Sequence, residues 1–154
     1  MAQTKITDLK TLKKMEGTRL PTGEWMTITQ EMINDFAKAT QDFQWLHVDI
    51  EKIKEHSPFK KPIAHGFLSV ALLSKLLMDL VTVNSLKMGV NYGLNKVRFP
   101  SPVLVDSEIR LNCTIVSVEP YDTKAVKITW DCLIEIKGQE KPACVAEFLS
   151  LMFE

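Results

Sequence analysis

One stretch limits the folds open to this chain more than any other. Between Pro62 and Leu80, the residues Phe67, Leu68, Val70, Ala71, Leu72, Leu73, Leu76, Leu77 and Leu80 put apolar side chains on almost every side of a helix. Such a helix has to be buried, and Pro62 suits its first turn. Drawn from Pro62 to Leu80, it would be about 28 Å long at about 1.5 Å per residue, close to the diameter of a domain of this size. His65, Ser69, Ser74, Lys75 and Asp79 interrupt the stretch, so it does not read as a membrane span.

A helix with no wet side needs a wrapping, and the C-terminal half supplies one. Val103 to Val118, Lys124 to Ile136 and Ala143 to Phe153 are rich in Val, Ile, Leu, Thr and aromatic residues, with Gly138 where a hairpin turn is needed. Along the middle stretch Val126, Ile128, Trp130, Cys132, Ile134 and Ile136 alternate with Lys127, Thr129, Asp131 and Glu135, giving one buried face and one wet face. An antiparallel sheet around a central helix, an α+β architecture, is the expectation. Periodicity alone equally allows any sheet with a helix on one face.

Ahead of the apolar run, Trp25 to Thr29 has the content of a short strand. Thr29 stands where a helix N-cap would, before Ile33, Phe36 and Ala37, which predicts a helix over about Gln30 to Ala39. Asp49 can cap a second, short helix that must end before Ser57-Pro58. The first twenty residues are polar and read as a peripheral segment. No repeat, low-complexity tract or linker divides the 154 residues, so one domain over 1–154 is expected.

Composition excludes several classes of function. Nineteen basic and nineteen acidic residues cancel, so no field draws the chain to nucleic acid. Cys113, Cys132 and Cys144 are odd in number, well separated and set in apolar stretches, which predicts reduced, buried thiols rather than disulfides or a zinc site. No apolar run follows the N-terminus, and a cytoplasmic protein is expected.

The chemistry concentrates between Thr40 and Ser74. Asp42 and His47 lie in a short segment between two predicted helices, a good place for catalytic groups. The bland alternative is that Asp42 ends a helix and His47 packs on Trp45. Gly66 sits in the first turn of the apolar helix, where backbone N–H groups lack intrahelical acceptors and the helix dipole favours negative charge. Close approach of a ligand oxygen would explain a glycine there, and so would tight packing. Together these residues offer an acid/base pair and an oxyanion donor, which is what proton transfer beside a carbonyl requires. Asp42, His47 and His65 are also metal-ligand types, but their spacing matches no zinc signature, so no metal is expected. His56 reads as a solvated residue ending the short helix.

Three ordered motifs carry a family resemblance. The segment Asp42 to His47 followed by Ile63-Ala64-His65-Gly66 resembles the hydratase-2 motif of MaoC-like dehydratases. The fuller string from Gln41 to Asp49, with the later Asn91-Tyr92-Gly93-Leu94-Asn95-Lys96-Val97-Arg98-Phe99-Pro100, is similar to the nodulation protein N-like branch. The resemblance covers about residues 20–153. It implies a single hot-dog fold, usually a homodimer, and reversible syn addition of water to a trans-2-enoyl thioester, giving an (R)-3-hydroxyacyl product.

By that resemblance Asp42 and His47 are the catalytic pair and the Gly66 amide binds the thioester oxygen. Gln44, His65 and Asn91 stand in the motifs as substrate-binding positions, and Ser74 matches a helix serine near the active site, although a serine in an apolar helix more often bonds the carbonyl one turn back. No cofactor is implied beyond the coenzyme A of the substrate, with acyl carrier protein thioesters as the lesser alternative. Two departures are Gln41, where the family usually has glycine, and Gln44-Trp45 in place of the widespread Asn-Pro, the latter shared with the branch. Two rival readings remain at this stage: a thioesterase on the same scaffold, and a non-catalytic acyl-thioester-binding subunit.

Overall fold

The computed structural model describes residues 3–154. In chain order it comprises β1 (Thr4–Ile6), α1 (Leu9–Lys13), β2 (Met26–Thr27), α2 (Gln30–Thr40), α3 (Trp45–Val48), α4 (Ile50–His56), α5 (Gly66–Ala71), α6 (Leu73–Leu80), β3 (Val81–Val83), β4 (Met88–Arg98), β5 (Glu108–Asp122), β6 (Ala125–Ile136) and β7 (Cys144–Phe153). Five strands form one antiparallel sheet in the order β2-β5-β6-β7-β4, and β1 pairs in parallel with β3. The sheet curls around α5 and α6. Leu73, Leu76, Leu77 and Leu80 of α6 pack in one core with Ile109, Leu111, Ile115, Ile128 and Trp130 of the sheet. Each such side chain, fully buried, contributes about 1.5–3 kcal/mol of apolar transfer free energy.

The central helix is shorter and less dry than its sequence predicts. It begins at Gly66 rather than Pro62 because residues 62–64 run extended and bond sideways. The Ile63 N–H donates to the Leu46 carbonyl at 3.1 Å, the Ala64 N–H to Val103 at 2.8 Å, and the Pro62 carbonyl accepts from Val105 at 2.9 Å. At Leu72 the helix passes through one turn between α5 and α6, with Leu72 N–H to Leu68 O at 3.0 Å and Leu76 N–H to Leu72 O at 2.9 Å keeping the two pieces joined. Phe67 and Met78 are 68% and 64% exposed, and Ala71 is exposed as well, so three positions of the apolar run face outward.

The strand bounds also move for local reasons. Val103 to Val105 serve the 62–64 segment, and Asp106 then takes a left-handed φ of 66°, so β5 starts only at Glu108. It runs on to Asp122, absorbing Pro120 at a register irregularity where a missing N–H is tolerated. The alternation of β6 holds from Ile128 onward except at Thr129, which is buried opposite the irregularity between Ile115 and Ser117; at the start of the strand Ala125 is buried and Val126 only half-buried. Gly138 makes the β6–β7 turn with φ 76°. Thr29 and Asp49 cap α2 and α4 as expected, accepting from the Met32 and Lys52 N–H groups.

Residues 3–20 are more than a peripheral polar segment, since Ile6, Leu9, Leu12 and Leu20 all enter the core. Cys113 and Cys132, distant in sequence, face each other across β5 and β6 with sulfurs 3.8 Å apart, and all three cysteines are buried free thiols. The Cys113 contact, together with burial, pushes the Cys132 thiol far upward, and burial raises Cys144 to about 11. Neither Cys132 nor Cys144 is a reactive thiolate near neutral pH. No helix among the described residues is long and apolar enough to cross a membrane.

Candidate active site

The segment holding Asp42 is shaped by the end of α2. Gln41, its C-cap, adopts a left-handed φ of 60°, a conformation that costs a residue with a Cβ roughly 1–2 kcal/mol. This is the position where the resemblance leads one to expect glycine. Gln41 recovers part of that cost by donating its side-chain amide to the Lys38 carbonyl at 2.7 Å. The sharp turn sends the chain outward, and the Asp42 carboxylate, 54% exposed, accepts from the Gln44 N–H at 3.3 Å. Gln44 then caps α3, which carries His47 inward.

His47 is buried, and its ring is fixed at one nitrogen. Nδ1 lies 2.6 Å from the Ile63 carbonyl oxygen. A carbonyl can only accept, so Nδ1 carries the proton and Nε2 keeps a bare lone pair. Gln30 holds the same turn by donating to the His47 carbonyl at 2.9 Å. Burial, the largest influence, pulls the His47 pKa below its ordinary value; His65 also lowers it, while the Ile63 bond and Asp42 oppose that shift. The neutral base is the favoured state.

His65, 3% exposed, stacks on His47 with ring centroids 3.7 Å apart and planes 25° from parallel. Its Nε2 donates to the main-chain carbonyl of Asp42 at 3.0 Å and stands 4.0 Å from the Asp42 carboxylate. Phe36 closes the other side, its ring centroid 5.0 Å away. One ligand-type atom from each of Asp42, His47 and His65 lies within 4.8 Å of the other two. Two groups about 2.8 Å from one water, at tetrahedral angles, stand about 4.6 Å apart. Two ligands about 2.1 Å from one zinc ion stand only about 3.4 Å apart. The His65 Nε2 to Asp42 carboxylate separation of 4.0 Å lies between these two spacings, and that nitrogen already donates its hydrogen to the Asp42 carbonyl, so it offers no lone pair at this position.

Asp42, Gln44, His47, His65 and Gly66 line one cavity of about 420 Å³, completed by Phe59, Ile63, Phe67, Ser69, Phe99 and Val103 among others. Gly66 opens α5 within it, and the reason for glycine is visible. A Cβ there would stand 2.9 Å from the ring of Phe99, so tight packing requires glycine whatever its amide binds. Ser74 and Asn91 are not part of this cavity. The Ser74 hydroxyl donates to the Asn91 side-chain oxygen at 3.0 Å, not to the carbonyl one turn back, and both border a separate groove between α6 and β4. Phe59, Phe67 and Phe99 carried no sequence signal of their own, although Phe99 stands in the third motif. His56 is exposed at the end of α4, as expected.

The lowered pKa of His47 has a consequence for stability. The unfolded chain binds a proton at this residue near its ordinary value of about 6.5 and the folded chain only at lower pH. The contribution is therefore complete above about pH 6.5 and is lost as pH falls toward the folded value. Urea midpoints measured from about pH 7.5 down to about pH 5.5 should fall less steeply for His47→Gln than for the unsubstituted protein; parallel curves would contradict the burial argument.

Comparison with known proteins places this geometry in context. The family described as "MaoC like domain" matches residues 12–135. The 3-hydroxyacyl-thioester dehydratase Z of Mycobacterium tuberculosis is 47% identical over 131 residues, covering 85% of this chain and 86% of the relative. Nodulation protein N of Rhizobium meliloti is 35% identical over 144 residues, covering 93% and 89%. Among solved structures, an R-hydratase from Pseudomonas aeruginosa superposes with a TM-score of 0.69 at 20% identity, over 90% of this chain and 82% of that one, a likeness of fold. With most of its length matched and the curled sheet around α5 and α6 that the resemblance leads one to expect, the chain belongs to the MaoC-like hydratase and dehydratase family and has its hot-dog fold.

Proposed function

We propose that the protein is an (R)-specific enoyl-CoA hydratase working reversibly as a 3-hydroxyacyl-CoA dehydratase, with acyl carrier protein thioesters as lesser substrates. The observation that carries this reading is that Asp42 and His47 line one cavity with Gly66 and bring a carboxylate oxygen and a ring nitrogen within 4.8 Å of each other. Two acceptors within reach of one water are what hydration needs. In the forward direction the water oxygen bonds to C3 of the enoyl group while Asp42 and His47 hold it and take up its proton. The electron pair moves through C2 to the thioester oxygen, which the Gly66 amide at the start of α5 would stabilise. A proton then returns to C2 on the face that received the hydroxyl. The balance is one water added, with nothing oxidised, so no cofactor is called for beyond the coenzyme A in the substrate.

The relative from Mycobacterium tuberculosis, named for dehydration of a 3-hydroxyacyl thioester, supports the reaction class. Buried reduced thiols support a reducing compartment, and we place the enzyme in the cytoplasm. Replacing Asp42 by Asn or His47 by Gln should each lower turnover of an enoyl thioester by about a hundredfold or more with the fold intact, followed as loss of enoyl absorbance across short, medium and long chains. Near-normal rates in either variant would remove that residue from the mechanism. Release of free thiol from saturated acyl-CoA would favour a thioesterase, and binding without turnover a non-catalytic subunit.

We also propose a homodimer formed along β4. Of the two long strands that could border the sheet, β7 lies inside it, between β6 and β4, whereas β4 is an edge with Met88, Val90, Tyr92 and Leu94 exposed. An eleven-residue edge strand with these exposed apolar side chains invites pairing with a second copy across a twofold axis. That arrangement would also cover the groove holding Ser74 and Asn91, the remaining motif positions. Light scattering at micromolar concentration should give twice the 17.5 kDa chain mass; an active monomer would contradict the proposal.

A further inference from the structure

His65 has no part in the water chemistry just described, yet it touches every component of the site. Its Nε2–H bonds the Asp42 carbonyl, its ring face lies on His47, and its own backbone is the N-cap of the helix that Gly66 opens. The side chain makes no capping bond, so capping does not account for it. Burial costs a polar ring its hydration, and here Nδ1 is fully enclosed with no hydrogen-bond partner among the described residues. An apolar residue of similar shape would avoid that cost, so stability gives no reason for an imidazole at this place.

We propose that His65 is a positioning residue, holding the Asp42 main chain through Nε2–H and the His47 ring through face-to-face contact, so that carboxylate and lone pair stay on one water. The Asp42 carboxylate otherwise has little to fix it. It is half exposed, on a turn without secondary structure, and among the described residues its one hydrogen bond is to the Gln44 N–H, with His65 Nε2 at 4.0 Å. The backbone bond to His65 ties that turn to α5 across twenty-three residues of sequence. The stack ties α3 to the same point. This inference rests on the proposed hydration for its kinetic arm and, for its spectroscopic one, on the stacking of the two rings and the charge influence of His65 on His47.

Two substitutions separate the functions of the ring. Gln can place an amide N–H where Nε2–H was and so keep the Asp42 anchor, whereas Phe fills the space without a donor. His65→Phe should lower kcat about tenfold or more with little change in KM, and His65→Gln should recover most of that loss. The titratable side chains acting on His47 are His65 and Asp42, so removing the former while keeping the latter in place should raise the His47 titration midpoint in His65→Gln, read by nitrogen-15 NMR together with the acid limb of kcat/KM. Normal kcat in His65→Phe, equal loss in both variants, or an unmoved midpoint in His65→Gln would each overturn the proposal. Should the unsubstituted protein turn over no enoyl or 3-hydroxyacyl thioester, the proposed reaction fails, and the NMR midpoint alone decides the role of His65.

Discussion

The bond between the His47 Nδ1–H and the Ile63 carbonyl, 2.6 Å long, joins the two halves of the site and fixes the chemistry of one of them. It selects the tautomer with a bare Nε2. It also pins the short helix α3 to the extended segment 62–64, which is bound in turn to Val103 and Val105. Were residues 62–64 helical, the Ile63 carbonyl would turn into the helix ladder and His47 would lose its partner. The late start of the central helix is thus a condition of the His47–Ile63 bond, and His65 and Gly66 line the same cavity.

Much of this was legible in the sequence where a single residue acts locally. Thr29 and Asp49 announce their helices because a side-chain oxygen three residues ahead of an amide is a short-range event. The alternation along β6 announces a half-buried strand for the same reason. Asp42, His47, Gly66 and His65 could be named from their motifs, and they do share one cavity. What escaped depends on contacts between distant segments. Nothing local says that Pro62 to Ala64 pair with Val103 to Val105, that Asp106 turns left-handed, or that Phe99 lies on Gly66. Ser74 and Asn91 follow the family spacing but meet each other beside β4, away from the Asp42 cavity.

The site concentrates local cost. Gln41 is held at a positive φ, one imidazole nitrogen is enclosed without a partner, and two rings that could both take a charge are stacked. The surrounding core is regular by comparison, with Trp130 at 0% exposure bonding Ser150 at 2.8 Å and long strands in register. A well-packed sheet allows a few unfavourable placements to persist at the candidate site.

The central claim is that Asp42 and His47 give hydroxyl and proton to the same face of one double bond. Hydration of a trans-2-enoyl thioester in deuterium oxide, with the product analysed by NMR for configuration at C2 and C3, tests it directly. The account predicts a single deuteron at C2, syn to the new C3 hydroxyl, in an (R)-3-hydroxyacyl product. Anti addition, deuterium distributed over both C2 positions by the hydration step, or a free acid in place of the thioester would contradict it.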